Sequence, residues 1–473
     1  MQSTPLTPRP RRRARWIRRA AVALALVYAA LAILPCAFPP RETLEADWLL
    51  QASSDENQDV AAILSTGDEA LSARLRLIAG AKDAIRVGSY LYAMDESGRI
   101  VTAALLAAAD RGVRVRIILD GLIGGINLGL QPEAYALGSH ENVEIRLYNP
   151  VNLLDPMGLN ARYHEKFFVV DDEWLILGGR NVSDEFLTPE THEKYNYDQD
   201  VLLHHTGTGR GGAAQVAEYF DKMWDSGLCG AAYDEAPALL GERTRRARDD
   251  FRRAWEDIAG ARDLSPVDDS AFAPVEKTVL ITGSAAPRTK ASGVYDRLID
   301  LMKAARERVI LQTPYLVMDG AMRDKISSVC ALSSDVTILT NSAGSGNNVV
   351  ASADGVFHRG DAAALDARVL EFQGDRSMHT KSILIDGNIS VFGSFNMDAR
   401  SAYLDAELML AVYSPEVAAE LEGVMGSLIA RSAPANGAAA AVFPDVPRKE
   451  AALGKRIVIT LLSPFASLFR FLV

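Results

Sequence analysis

Apolar residues recur along this chain in two rhythms, one suited to strands and one to helices, and the same order of rhythms is used twice. In the first half, AIRVGSYLYAM from Ala84 reads as a strand. SGRIVTAALLAAADRG follows with helical spacing, and Gly112 is its stop signal. VRVRIILDG is a strand that passes from alternating to continuously apolar, and NVEIRLYNP from Asn142 is another. RYHEKFFVVDDEWLILGGRN reads as two short strands around an acidic turn at Asp171 and Asp172. In the second half, YDRLIDLMKAARERVILQTPYL gives a helix and then a strand. MRDKISSVCAL is helical, while DVTILTNS and ARVLEFQ are strands. SMHTKSILIDGNISVFGSFN closes the series as a strand pair turning at Asp386 and Gly387.

Strands alternating with helices imply an α/β fold in which helices cover a sheet. Two such units imply a pseudo-two-fold pair of lobes, with a pocket expected where they meet. The first lobe is placed over residues 45–229 and the second over 276–430. Residues 230–275 contain ERTRRARDDFRRAWEDIAGARD, whose mixed charges at helical spacing predict a solvated helical connector. Its interleaved acidic residues argue against a nucleic-acid patch. Residues 431–473 begin with a small-residue linker, SAPANGAAAA, and end in GKRIVITLLSPFASLFRFLV. That apolar end, broken by Pro464, reads as a segment lying on a membrane surface, or alternatively as a terminal helix docked on the protein.

The N-terminus changes this picture. Arg9, Arg11, Arg12, Arg13, Arg15, Arg18 and Arg19 precede an uncharged apolar run from Ala20 to Phe38. Residues 20–38 are long enough to cross a bilayer, and residues 1–19 form its basic flank. The h-region of a cleaved signal peptide is shorter, and no clean A-x-A site ends the run. An uncleaved single-pass anchor is therefore expected, with the arginines in the cytoplasm. Arg41, Glu42, Glu45 and Asp47 add little positive charge beyond it. That asymmetry places the bulk of the chain on the extracytoplasmic side. At 473 residues there is material for two or three domains. The net charge of -11 argues against a general nucleic-acid binder. Cys36, Cys229 and Cys330 are far apart and form no zinc-ligand spacing. Cys229 and Cys330 read as buried thiols, with one bridge between them left open by the sequence.

Candidate chemistry sits in the repeated strand pair. The first copy has His164, Lys166, Asp171, Gly178, Gly179 and Asn181; the second has His379, Lys381, Asp386, Gly393, Ser394 and Asn396. In both, Lys follows His by 2 positions, Asp follows by 5, the first Gly by 7 and Asn by 3. Residues two apart on a strand share a face, so His and Lys of each copy point together. Lysine is rarely buried unpaired, so two inert copies are a poor account of the pattern. Phosphate handling is a better one. Lys166, Lys381, Asn181 and Asn396 would bind non-bridging oxygens and stabilise a pentacoordinate transition state. One histidine would attack phosphorus while the other protonates the leaving oxygen. The lysines supply the charge that a metal would otherwise bring, so no metal or other cofactor is expected. A carboxylate behind each histidine would fix its tautomer. Glu407, 28 residues after His379, and Asp200, 36 after His164, are assigned that role. Asp171 and Asp386 fall in turns, where they would hold loop geometry.

The two motifs resemble the HxKxxxxD motifs of the phospholipase D superfamily. GGRNVSDEF and GSFNMDARS are similar to the segments that follow them in bacterial cardiolipin synthases and related phosphatidyltransferases. The likeness extends from about Leu71 to Ala411. It implies a two-lobed α/β fold with the active site between the lobes, in a bacterial cell membrane. It also implies a covalent phosphohistidine, no metal, and a phospholipid substrate such as phosphatidylglycerol. Carried over position by position, it puts His164, Lys166, Asp171, Asn181, His379, Lys381, Asp386 and Asn396 in the catalytic set, with Gly178, Gly179, Gly393 and Ser394 as the phosphate-site turns. By the same analogy His164 is the nucleophile and His379 the acid and base, although the repeat itself is symmetric. The arginine-rich anchor and the short charged connector match no particular member. The second lobe is compact between Asn348 and Arg368, which leaves the acceptor open. Phosphatidyl transfer, phospholipid hydrolysis and nucleic-acid phosphodiester cleavage are the competing activities. The anchor favours the first two, and two complete motifs disfavour a non-enzymatic scaffold.

Overall fold

Short β-branched and aromatic runs bounded by Gly, Asp and Asn build one large sheet in each lobe. The computed structural model describes residues 10–40, 58–333 and 335–472. Arg9 and the segment holding Arg41, Glu42, Glu45 and Asp47, where the first lobe was expected to start, lie outside the described residues.

A long helix, α1 (Pro10–Ala37), opens the chain. Its Arg15–Ala37 stretch is long and apolar enough to cross a membrane, and most of its side chains are exposed. The first lobe then runs β1 (Asp59–Leu64), α2 (Gly67–Gly80), β2 (Ala84–Ser89), α3 (Glu96–Asp110), β3 (Arg114–Asp120), α4 (Ile123–Leu128), α5 (Pro132–Gly138) and β4 (Val143–Tyr148). It continues with β5 (Lys166–Val170), β6 (Trp174–Gly178), β7 (Asp200–His205), α6 (Gly212–Asp225), β8 (Cys229–Ala232), α7 (Gly241–Ala261) and β9 (Ala273–Val275). The strands form one sheet in the order β8-β4-β3-β2-β5-β6-β7-β1-β9.

The second lobe repeats the plan. Its elements are β10 (Lys277–Thr282), α8 (Gly293–Lys303), β11 (Arg308–Gln312), β12 (Leu316–Val317), α9 (Gly320–Cys330), β13 (Asp335–Asn341), α10 (Val349–Phe357), α11 (Arg359–Ala363) and β14 (Arg368–Phe372). They continue with β15 (Ser382–Ile385), β16 (Ile389–Gly393), β17 (Met397–Asp398), α12 (Ala399–Tyr403), β18 (Leu408–Tyr413), α13 (Pro415–Ile429) and β19 (Ser432–Pro434), then α14 (Gly437–Ala440) and α15 (Leu453–Leu462). The main sheet order is β10-β18-β16-β15-β11-β13-β14-β19. In both sheets three parallel strands meet an antiparallel hairpin: β2 pairs with β3 and β5, as β11 pairs with β13 and β15.

The hairpin turns follow from their residues. Asp171 and Asp172 have φ of 53° and 58°; Asp386 and Gly387 have 51° and 71°. Both turns therefore take the left-handed pair that right-twisted hairpins prefer. Helix α3 stops where Gly112 reaches φ 96°, and the Gly112 and Val113 amides cap its last carbonyls.

A shared core joins the lobes. Helix α6 buries Val216, Tyr219 and Phe220 in the same cluster as Leu280, Phe392, Leu410 and, from α13, Leu421 and Met425. Outer cores lie under α2, α3 and α5 in the first lobe and under α8 and α9 in the second.

Three expected boundaries move. The connector is not a free strut: β8 and β9 add to the first sheet, and α7 buries Ala247 and Phe251 against α3 and α5. The small-residue linker forms β19, an edge strand on β14, and α14. The apolar C-terminal end docks through Ile459 and Ala466 on Ala353 of α10, while Leu453, Ile457, Leu461 and Phe465 face outward. Cys229 and Cys330 are free, buried thiols lining different cores.

Candidate active site between the lobes

Strands β2, β3 and β4 run parallel, and β5 runs antiparallel to β2. His164, just before β5, therefore lies at the end of the sheet where the parallel strands finish. The second lobe places His379 the same way ahead of β15. The lobes meet at these ends. Tyr163 bridges Ala406, and Tyr197 bridges Met378, each as a parallel pair. The His164 amide donates to the Ala406 carbonyl at 3.0 Å, and the His379 amide donates to the Tyr197 carbonyl at 2.6 Å.

These bridges cross the orienting carboxylates between lobes. His164 Nδ1 lies 2.8 Å from Glu407 Oε1, and His379 Nδ1 lies 2.7 Å from Asp198 Oδ2. Each histidine is thus backed by the other lobe, not by its own. Asp200, expected behind His164, is elsewhere: it forms a buried ion pair with Arg74 at 2.9 Å and Arg180 at 3.5 Å. The register explains the error. Gly178 pairs with Asp200, and Gly393 pairs with Met409. Two residues earlier on each strand stand Asp198 and Glu407, so Asp198 is the counterpart of Glu407. Asp198 and Asp200 share strand parity, and no sequence pattern separates them.

The motif aspartates are also outside the cleft. Asp171 accepts the amides of Lys82, Asp83 and Ala84 at 2.8–2.9 Å, tying the hairpin tip to the start of β2. Asp386 accepts those of Arg306, Glu307 and Arg308 at 2.7–3.0 Å. Each sits five residues from its lysine, roughly 16 Å along the strand. Their role in the structure is to hold the turn. Burial alone would raise Asp386, but its three backbone donors outweigh that and keep it low.

The turns after each hairpin act on the carboxylates. A Cβ on Gly179 would stand 2.4 Å from Asp198 Oδ1, so glycine is what lets that carboxylate in. A Cβ on Gly178 would meet Asp200, and one on Gly393 the Leu408 carbonyl. Ser394, the counterpart of Gly179, donates its hydroxyl to Glu407 Oε2, and Ser401 donates to Oε1 at 2.6 Å. Ser401 carried no sequence signal, nor did Tyr90 and Phe186, whose rings lie 5.0 Å from His164 and 4.9 Å from His379. Asn181 spends its side-chain oxygen on the Leu91 amide at 3.2 Å. Asn396 keeps a buried side-chain oxygen without a hydrogen-bond donor among the described residues.

Lys166 and Lys381 are buried and rest on the carbonyls of His164 and His379. Burial lowers Lys166 to about 7 and Lys381 to about 8. Burial, then the nearby lysine charges, holds His164 well below its ordinary value and His379 at about 3. Burial raises Glu407 to about 7. Burial would raise Asp198 too, but the His379 hydrogen bond, His379 itself, Lys381 and Arg180 outweigh it and keep it ionised. Lys381 Nζ also approaches His379 Nδ1 at 2.8 Å. With Asp198 ionised, Nδ1 carries the proton and donates to it, which leaves Nε2 as the free lone pair. The two lysine ammonium groups therefore stand beside the imidazoles, with Asp198 and Glu407 as the carboxylates on the histidines. Among the described residues no cluster of three or more potential metal ligands occurs.

Comparison with known proteins follows the same outline. A family profile described as "Cardiolipin synthase, PLD-like domain" matches residues 75–224 and 298–429. Cardiolipin synthase C of Escherichia coli (strain K12) is 29% identical over 391 residues, 74% of this chain and 80% of that protein. Cardiolipin synthase A of Escherichia fergusonii is 26% identical over 375 residues, 78% of this chain and 69% of that one. The crystal structure of phosphatidylserine synthase from Haemophilus influenzae Rd KW20 superposes with a TM-score of 0.62 at 18% identity, over 89% of this chain and 98% of its own, and shares the fold.

Asp200 and Asp198 should separate cleanly on substitution. Asp200→Ala leaves Arg74 and Arg180 buried without their counter-ion and should cost about 3–5 kcal/mol in denaturant unfolding. Asp198→Asn keeps shape and hydrogen-bonding capacity and should cost less than half as much. Equal losses would overturn the assignment of Asp200 to the framework.

Proposed function

The chain belongs to the cardiolipin synthase, phospholipase D-like domain family, and on that premise we propose that it is a phosphatidyltransferase working through a covalent phosphohistidine. The observation that carries the reading is the pair of imidazoles, each with an opposite-lobe carboxylate on Nδ1, flanked by Lys166 and Lys381. A phosphodiester monoanion is the ligand that two neighbouring ammonium groups favour.

His164 attacks phosphorus through Nε2, forming the N–P bond as the P–O bond to the leaving alcohol breaks. His379, protonated at Nε2 once the bound anion has raised it, gives that proton to the alcohol oxygen. It then takes a proton from the incoming hydroxyl, which attacks phosphorus and frees His164. The unequal carboxylates favour this assignment. An ionised Asp198 stabilises the imidazolium that an acid must become, whereas Glu407, shared with two hydroxyls, mainly fixes the His164 tautomer. Burial and Lys381 hold His379 low. An anion between the lysines offsets their charge and lifts it toward working range. Lys166, Lys381, Asn181 and Asn396 carry the extra charge of the transition state. Asp171 and Asp386 act at a distance, through the hairpin turns.

Phosphatidylglycerol is the proposed donor and acceptor, with α1 holding the enzyme in the membrane that contains it. Positive-inside asymmetry puts the cleft on the side opposite the N-terminal arginines.

The purified protein in phosphatidylglycerol vesicles should release glycerol and form diphosphatidyl product. Phosphatidic acid alone would make it a hydrolase, and DNA cleavage without lipid turnover would sink both lipid readings. His164→Ala and His379→Ala should each abolish turnover. Asp198→Asn should cut kcat by about 10²–10⁴-fold with little change in KM, by analogy with other orienting carboxylates.

Anion binding should also depend on pH. The lysines are charged below about 7 and 8 and lose charge above those values. Anion affinity is therefore present at low pH and lost as pH rises. Sulfate, whose own charge is fixed over this range, should bind at least about tenfold more weakly at pH 9 than at pH 6 by calorimetry. A flat profile would contradict lysine-based anion binding.

A further inference from the structure

The cleft end of the molecule carries apolar side chains that the protein itself leaves uncovered. Ile126 and Leu130 follow β3, and Leu153 and Leu154 follow β4; all four are exposed, Leu154 to 93%. Strands β3 and β4 are parallel neighbours, so these residues share the end of the sheet at which His164 lies. The loop holding Leu153 and Leu154 is closed at its base, because Asn149 Nδ2 donates to the carbonyls of Gly158 and Ala161 at 2.8 and 2.9 Å. A compact loop that points leucines outward does not serve the core.

The second lobe presents a matching edge. Helix α15 buries Ile459 and packs the half-buried Leu462 against the α10 cluster but turns Ile457 and Leu461 outward, and Phe465 follows them. Helix α10 follows the end of β13, the counterpart of β3.

The anchor joins the two edges. Near its C-terminal end α1 packs against the turn Pro156–Gly158 and the 3₁₀ segment Ser463–Leu472. Asn160 Nδ2 donates to the Ala32 carbonyl at 2.8 Å. The Asn160 carbonyl in turn accepts from Arg400 at 2.7 Å, and Arg400 pairs with Asp405 at 2.9 Å. Asp405 accepts the amide of Arg162, two residues from His164. A spanning stretch of 23 residues is roughly 35 Å long, about one hydrocarbon thickness. Its C-terminal end therefore emerges at a bilayer surface beside the leucine loop, with the cleft mouth a few hydrogen bonds away.

We propose that the leucine loop at 151–157 and the outward face of 457–465 are a two-sided apolar rim that inserts into the lipid bilayer around the exit of α1, seating the cleft mouth on the membrane surface. The proposal rests on the reading of α1 as a membrane span and does not depend on the reaction catalysed. Such a rim would let a headgroup phosphate reach the histidines while its acyl chains stay in lipid. Continuity with the span is what selects lipid over a second copy of this chain as the occupant.

Site-directed spin labelling of the full chain in phosphatidylglycerol-containing vesicles tests this. Cysteines are introduced one at a time by Leu154→Cys, Leu461→Cys, Leu24→Cys and Arg245→Cys on a Cys36→Ser background, where the remaining thiols are buried. Labels at 154 and 461 should show the high oxygen and low nickel-complex accessibility of a site below the phosphates. The label at 245, on the exposed face of α7, should read as aqueous, and the label at 24 as deep in hydrocarbon. Aqueous labels at 154 and 461 with a buried label at 24 would overturn the rim while leaving the anchor intact. An aqueous label at 24 would remove the anchor reading and the rim with it. Spin–spin broadening at 154 between copies would assign the surface to self-association and overturn the proposal. None of these readouts needs turnover, so a failure of the transferase reading would show separately, as absent lipid product.

Discussion

Two imidazole–carboxylate hydrogen bonds, each crossing from one lobe to the other, are the constraint on which the rest of this structure depends. His164 is oriented by Glu407 and His379 by Asp198. The crossing follows from two parallel bridges, one immediately before each histidine, that splice the sheet ends of the lobes together. Neither lobe alone has a histidine with a fixed tautomer. The common core under α6 and α13 then becomes a requirement of the chemistry as well as of stability, because a small slip between the sheets would break both bonds at once.

Duplication gives the site two copies of each part, and small departures from symmetry give the copies different electrostatics. Gly179 leaves space for Asp198, where Ser394 instead donates a hydroxyl to Glu407. Asp198 stays ionised while Glu407 is raised to about 7. Two lysines lie buried beside the histidines, and the Asn396 side-chain oxygen has no hydrogen-bond donor among the described residues. Burial is the first cause of the depressed lysine and histidine values.

The cleft sits at one end of both sheets, and the apolar features of the chain gather there. The anchor ends beside a loop linked through Asn160, Arg400, Asp405 and Arg162 to His164. The C-terminal segment reaches the same neighbourhood by docking on α10. The sequence offered two readings of that segment, lying on a membrane or docked on the protein. It docks by one face and leaves the other apolar face bare, as an amphipathic helix at a boundary does.

Much of this was legible in the residues alone. The doubled strand–helix order, the turns at Asp171–Asp172 and Asp386–Gly387, and the spacing of the two motifs follow from local periodicity and turn chemistry. These act over a few residues and leave their mark in order. Outer strands such as β1, β8 and β19 were not legible, since each is defined by its partner more than by its own pattern. The orienting carboxylate was not legible either. Asp198 and Asp200 stand two residues apart at the start of β7, and only the tertiary structure puts one beside His379 and the other between two arginines. Nor did spacing show that the carboxylates cross between lobes, because sequence distance within a copy carries no information about how the copies face each other. The sequence by itself determined the two lobes and the pair of histidines; the packing of one lobe against the other decided which acid serves which histidine, because that depends on contacts between residues up to 243 positions apart.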